Sequence, residues 1–132
     1  SIIERQRTLT TILSRSGQPK FRKEVLKLSE GQCLLTGERI SEVLEAAHIN
    51  PYKGEKDNHA ANGLLLRADI HTLFDLDLIG IEPNELKVHL NEVVRKDGYE
   101  VLENKVLLIS KITPNKEALK IRWKKFLSLC EL

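Results

Sequence analysis

The stretch from Glu45 to Asp75, EAAHINPYKGEKDNHAANGLLLRADIHTLFD, narrows the available folds more than any other part of the chain. It passes from an apolar run to a polar loop to a helical pattern within a short span. Val43 to Ile49 is apolar and β-compatible, and it stops at Asn50-Pro51, where proline removes a donor and holds its predecessor extended. His48 therefore falls near a strand end. The residues that follow, among them Tyr52, Lys53, Gly54, Lys56, Asp57 and Asn58, are turn-prone and carry lysines, which suits a loop beside something anionic. Asn62-Gly63 closes that loop. From Leu66 the apolar residues recur at Leu66, Ile70, Leu73 and Phe74, the spacing of a helix with one buried stripe. Arg67, His71 and Asp75 are four apart, so they stack along the other face.

A strand, a loop and a helix converging with these side chains suit metal-assisted hydrolysis of a phosphodiester. An imidazole with an ordinary pKa of about 6.5 can take a proton from an attacking water, the role expected of His48. A divalent ion held by His71 and Asp75 would neutralise the scissile phosphate if coordination positions stay open for substrate. Asn62 is expected to hold the loop and orient His48 through its amide.

These residues resemble the HNH, or ββα-metal, nucleases, in the branch with an alanine-histidine-isoleucine strand and a histidine-x-x-leucine-phenylalanine-aspartate helix. The resemblance runs through Ala46-Ala47-His48-Ile49, Pro51-Tyr52, Asn62 to Asp69 and His71-Thr72-Leu73-Phe74-Asp75. Gly17-Gln18 with Phe21-Arg22, and Cys33 to Gly37, also look like segments that precede the motif in that branch. The resemblance implies an α+β fold: a ββα-metal core over 33–76, with added N- and C-terminal helices and a C-terminal hairpin. It implies His48, Asn62 and His71 as catalytic residues and His71 and Asp75 as metal ligands. The ion would be Mg²⁺, Mn²⁺ or Ni²⁺, or else Zn²⁺, and the substrate DNA. It further implies a restriction or defence setting and a fused or recruited recognition domain, and it allows a homodimer. Lys53, Lys56 and Arg67 are the expected phosphate contacts, Arg67 alternatively pairing with Asp75 or Glu82. Many members of the family place a ligand directly before the first histidine, where this chain has Ala47. Glu45 could contribute instead, although strand alternation would equally turn it to solvent. Ala47 is also what favours the rival reading, a catalytically silent nucleic-acid-binding module on the same fold.

At 132 residues the chain is expected to form one domain, with 1–16 either a linker helix or a helix packed on that domain. A net charge of +2 does not by itself suggest nucleic acid. The cations are clustered, however: Arg15, Lys20, Arg22, Lys23 and Lys27 before the motif, and Lys116, Lys120, Arg122, Lys124 and Lys125 near the C-terminus. Either group would meet phosphates or form a solvated helix face. Cys33 and Cys130 make no Cys-x-x-Cys pair, so structural zinc is not expected, and both read as ordinary thiols of an intracellular, cytoplasmic protein. No apolar run approaches the ~20 residues that cross a bilayer.

The remaining elements follow from periodicity. Ile2 to Arg15 carries a helical pattern, and Gln18 to Ser29 places Phe21, Val25, Leu26 and Leu28 in helical register. Cys33 to Thr36 reads as a short strand whose partner, Ile40 to Ile49, returns to the site. Leu78 to Ile81 and Leu86 to Leu90 alternate around Glu82-Pro83-Asn84-Glu85, a hairpin that makes His89 a cross-strand or surface residue. His59 reads as an ordinary loop histidine. Tyr99 to Leu102 and Val106 to Ile109 suggest two further extended segments. Pro114 precedes a helix over Asn115 to Leu129, with Trp123 as a core anchor.

Overall fold

The computed structural model describes residues 2–4, 19–108, 111 and 113–130. Apart from residues 2–4, which are helical, the helix expected over Ile2 to Arg15 lies outside them. Helix α1 (Pro19–Leu28) begins on the proline, whose missing donor costs nothing in a first turn. It buries Phe21 and Val25, one turn apart on a single face. Gly31, at φ 68°, closes it by donating to the Leu26 carbonyl at 2.9 Å.

Strand β1 (Leu44–His48) pairs antiparallel with β2 (Gly63–Arg67), Leu44 opposite Arg67 and His48 opposite Gly63. This corrects two expectations. Residues 33–36 are not the partner of β1 but a turn, in which Cys33 donates to the Glu38 carbonyl and Gly37, at φ 76°, donates back to Cys33. The amide of Leu34 goes instead to the Leu65 carbonyl, at 2.9 Å. Leu66 is likewise no helical residue. The run Gly63 to Arg67 is extended, and helix α2 (Ala68–Asp75) starts only after it. Leu66 fits the period of the helix because the helix continues directly from the strand.

The expected hairpin forms from β3 (Ile79–Ile81) and β4 (Val88–Leu90), with His89 opposite Gly80. Tyr99 to Leu102 is not extended: helical turns run through Arg95–Tyr99 and Glu100–Leu102, with Gly98 at φ 98° between irregular dihedrals. Asn91 starts this coil by capping a short turn, Glu92–Val94, through a bond from the Val93 amide. Val106 does reach Lys87 in a single β-bridge. Helix α3 (Lys116–Cys130) is capped by the Asn115 side chain and buries Ala118, Leu119, Arg122 and Phe126. Trp123 is half-buried, stacked on Phe126 and tilted against the His89 ring.

One core joins these pieces. Phe21 and Val25 of α1, the inner faces of β1 and β2, Ile70 and Phe74 of α2, Ile79, Ile81 and Val88 of the second hairpin, and Leu119 of α3 are all at most 2% exposed. Cys33 is buried and Cys130 is exposed. Among the described residues, no helix is long and apolar enough to cross a membrane.

Candidate functional site

His48 ends β1, where the strand gives way to the loop over 50–62. Its ring lies flat on Phe21, with centroids 4.2 Å apart and an interplanar angle of 8°, and Tyr52 tilts against it at 5.7 Å. The Nε2 atom sits 2.9 Å from Asn58 Oδ1. An imidazole that donates from Nε2 to this amide oxygen keeps Nδ1 as its acceptor nitrogen.

Asn62 is buried and spends its whole amide on the loop. Its Oδ1 accepts from the Asn50 amide at 2.8 Å, and its Nδ2 donates to the carbonyls of Asn50 and Asp57 at 3.2 and 2.9 Å. The expectation that Asn62 holds the loop matches this geometry. The side chain that hydrogen-bonds the His48 ring is Asn58, which the sequence did not single out. An asparagine among other turn residues carries no mark of such a contact.

His71, on α2, is 3% exposed. Its Nδ1 meets Glu45 Oε1 at 2.6 Å and its Nε2 meets Asp75 Oδ2 at 3.1 Å. Burial works against its protonation, but the hydrogen bonds that its ring donates to Asp75 and then Glu45, together with their charges, outweigh it and raise the pKa to about 9. Glu45 does not face solvent as alternation allowed; it is 3% exposed. The reason is that β1 is covered on both faces, by α1 on one and α2 on the other, so a carboxylate on either face must find a buried partner. Ala47, fully buried, shares the Glu45 side of the strand.

His48, His71 and Asp75 line one cleft of about 270 Å³, together with Pro51, Tyr52, Arg122 and Lys125. Lys53 and Lys56 are exposed on the adjoining loop. Arg67 lies at the opposite end of the β1–β2 pair from His48. It pairs with neither Asp75 nor Glu82: Nε and Nη2 engage Asp69 at 2.7 and 3.1 Å, and Asp69 also accepts from the Tyr99 hydroxyl. Arg67 lines a separate cavity with Thr36, Tyr99 and Lys105. Two members of the basic clusters are not solvated cations. Arg22 donates to the carbonyls of Leu44 and Ser41, and Arg122 is 8% exposed. Among the described residues, no group of three or more His, Cys, Asp or Glu side chains gathers as a ready-made metal cluster.

A two-stranded antiparallel ribbon running directly into a helix, with one histidine on the ribbon and one on the helix facing a common cleft, is a ββα site. Residues 33–82 match the model of the HNH endonuclease family. No curated protein matches the chain.

Proposed function

We propose that the protein is a divalent-metal-dependent DNA endonuclease with its catalytic core over 33–76, the nuclease module of a restriction or defence protein that acts in the cytoplasm. The observation that carries this reading is the meeting of His48, His71 and Asp75, from a strand and a helix of the family-matched segment, in one cleft.

The donor set fits a divalent ion. His71 Nε2 and Asp75 Oδ2 are neighbours on the cleft wall, and the other ring nitrogen is held by a buried carboxylate, the usual support of a metal-bound histidine. Such an ion would neutralise charge on the scissile phosphate and the leaving oxygen. The protein's own groups do the rest. His48, kept in one plane by Phe21 and in one tautomer by Asn58, takes the proton from the attacking water at Nδ1. The water oxygen bonds to phosphorus, the P–O3′ bond breaks, and the products carry 5′-phosphate and 3′-hydroxyl ends. Lys53 and Lys56 contact flanking phosphates, and Arg67 contacts a more distant part of the DNA.

Plasmid nicking in Mg²⁺, Mn²⁺ and Ni²⁺ tests the proposal. A mixed nitrogen and oxygen donor pair suits Mn²⁺ or Ni²⁺ at least as well as Mg²⁺. His48→Ala is expected to cut ~10²–10⁴-fold more slowly while binding DNA and metal normally. Intact plasmid with every ion would instead support the silent binding module that Ala47 favours.

A further inference from the structure

Helix α3 lies outside the family-matched segment, yet it supplies Arg122 and Lys125 to the cleft wall. Arg122 is turned inward by the helical stripe of Leu119 and Phe126 and spends its donors on the protein. Its Nη1 donates to the Ile49 carbonyl at 2.9 Å, Nη2 to the Phe74 carbonyl, and Nε to Asp77 Oδ1 at 3.3 Å. Its Cζ also lies 4.1 Å from the centroid of the Phe74 ring. Asp77, 5% exposed, balances the buried charge and holds Lys125 as well, at 3.2 Å.

What matters is which carbonyls are held. Ile49 follows His48 at the end of β1, and Phe74 precedes Asp75 at the end of α2. A guanidinium is planar, with its donors in a rigid fork, so two of its nitrogens fix the distance between the two acceptors. We propose that Arg122 is a positioning residue for the hydrolysis, setting the spacing between His48 on the ribbon and Asp75 on the helix. The inference rests on the nuclease reading. It divides the work between two parts of the chain: the family segment brings the reacting groups, and a helix beyond it gauges the distance between them.

The test pairs Arg122→Met with Asp77→Asn, removing both buried charges so that neither is left alone. Arg122→Lys serves as the milder variant and carries the test if the pair does not fold. With folding checked by circular dichroism, the paired variant should keep KM within about twofold and lose about 10²-fold in kcat, the cost of a misplacement of about 1 Å. Arg122→Lys should recover part of the loss. In a His48→Ala background the same pair should cost under about threefold, because the spacing no longer serves a base. Wild-type kcat in a folded variant would overturn the proposal, and so would a loss confined to KM, which would make Arg122 a phosphate contact. Crystal structures of wild type and variant read the spacing whether or not either cuts DNA. A shift of about 1 Å between His48 and Asp75 supports the inference, and an unchanged distance rejects it. Failure of the wild type to cut with any ion rejects the nuclease reading alone and leaves the spacing measurement to decide this one.

Discussion

His48 and His71 are the same side chain placed under opposite conditions. His48 is half-buried, stacked and held by a neutral amide, whereas His71 is enclosed between two carboxylates. The second arrangement makes stability depend on pH. The folded pKa of about 9 lies above the unfolded value of 6.5, so the imidazolium pairing contributes fully below about pH 6.5 and is lost as pH rises through 9. Urea unfolding of the chelated protein between pH 6 and pH 9.5 is expected to show a fall on the order of 1–3 kcal/mol, flattened in Glu45→Gln. A level profile in the wild type would mean a neutral ring. Ala47 gives a second prediction at this scale. It shares the Glu45 side of β1 and is fully buried, so Ala47→Asp should lower the melting temperature of the metal-free protein and make it rise on adding Mn²⁺. A melt indifferent to Mn²⁺ would place residue 47 away from the ion. The placement of His48, Asn62, His71 and Asp75 was legible because their spacing and flanking residues fix where each sits in the fold. Glu45 and Asn58 were not, since a carboxylate in a strand and an amide in a loop look alike whether they face water or a histidine.

Helix α1 and the β1–β2 ribbon meet at a place where one partner lacks a side chain. A Cβ on Gly63 would stand 2.5 Å from Val25 Cγ2 and 2.8 Å from Phe21 Cζ, so the glycine is there for space and not for its backbone, which is ordinary extended chain. Gly63→Ala is expected to cost about 1–3 kcal/mol in chemical denaturation and to slow cleavage, because Phe21 is also the surface on which His48 lies. Full activity in a destabilised variant would show that the stacking does not serve the base. The three helices were readable from apolar stripes, and the second hairpin from alternation. Strand β2 was hidden because Gly63-Leu64-Leu65-Leu66 is apolar on both faces and so shows no period of its own. The coil after Asn91 was hidden for another reason. Its course depends on a cap and on Gly98, whereas Val101 and Leu102 alone suggest a strand.

At the scale of the whole molecule, the family segment does not complete its own cleft; α3 does, and it also packs on β3. Helix α3 buries Leu119 and Phe126, but Arg122 between them read as a cation for phosphate or as part of a solvated face, because a guanidinium usually ends in water. Only the carbonyls of Ile49 and Phe74, distant in sequence, make it an inward residue. The seating of α3 depends on Gly80, where an added Cβ would stand 2.4 Å from the Phe126 ring. Gly80→Ala should lift the helix, lowering stability by about 1–3 kcal/mol, and Phe126→Leu should restore part of it in the double variant, as a thermal melt would read. Additive losses would mean that the two positions do not share one space. That shared space also reaches into descent: a lineage that gains a side chain at position 80 can keep α3 seated only by trimming position 126. The two sites should therefore drift as a pair, while exposed positions of the same helix away from the cleft, such as Ile121, change more freely.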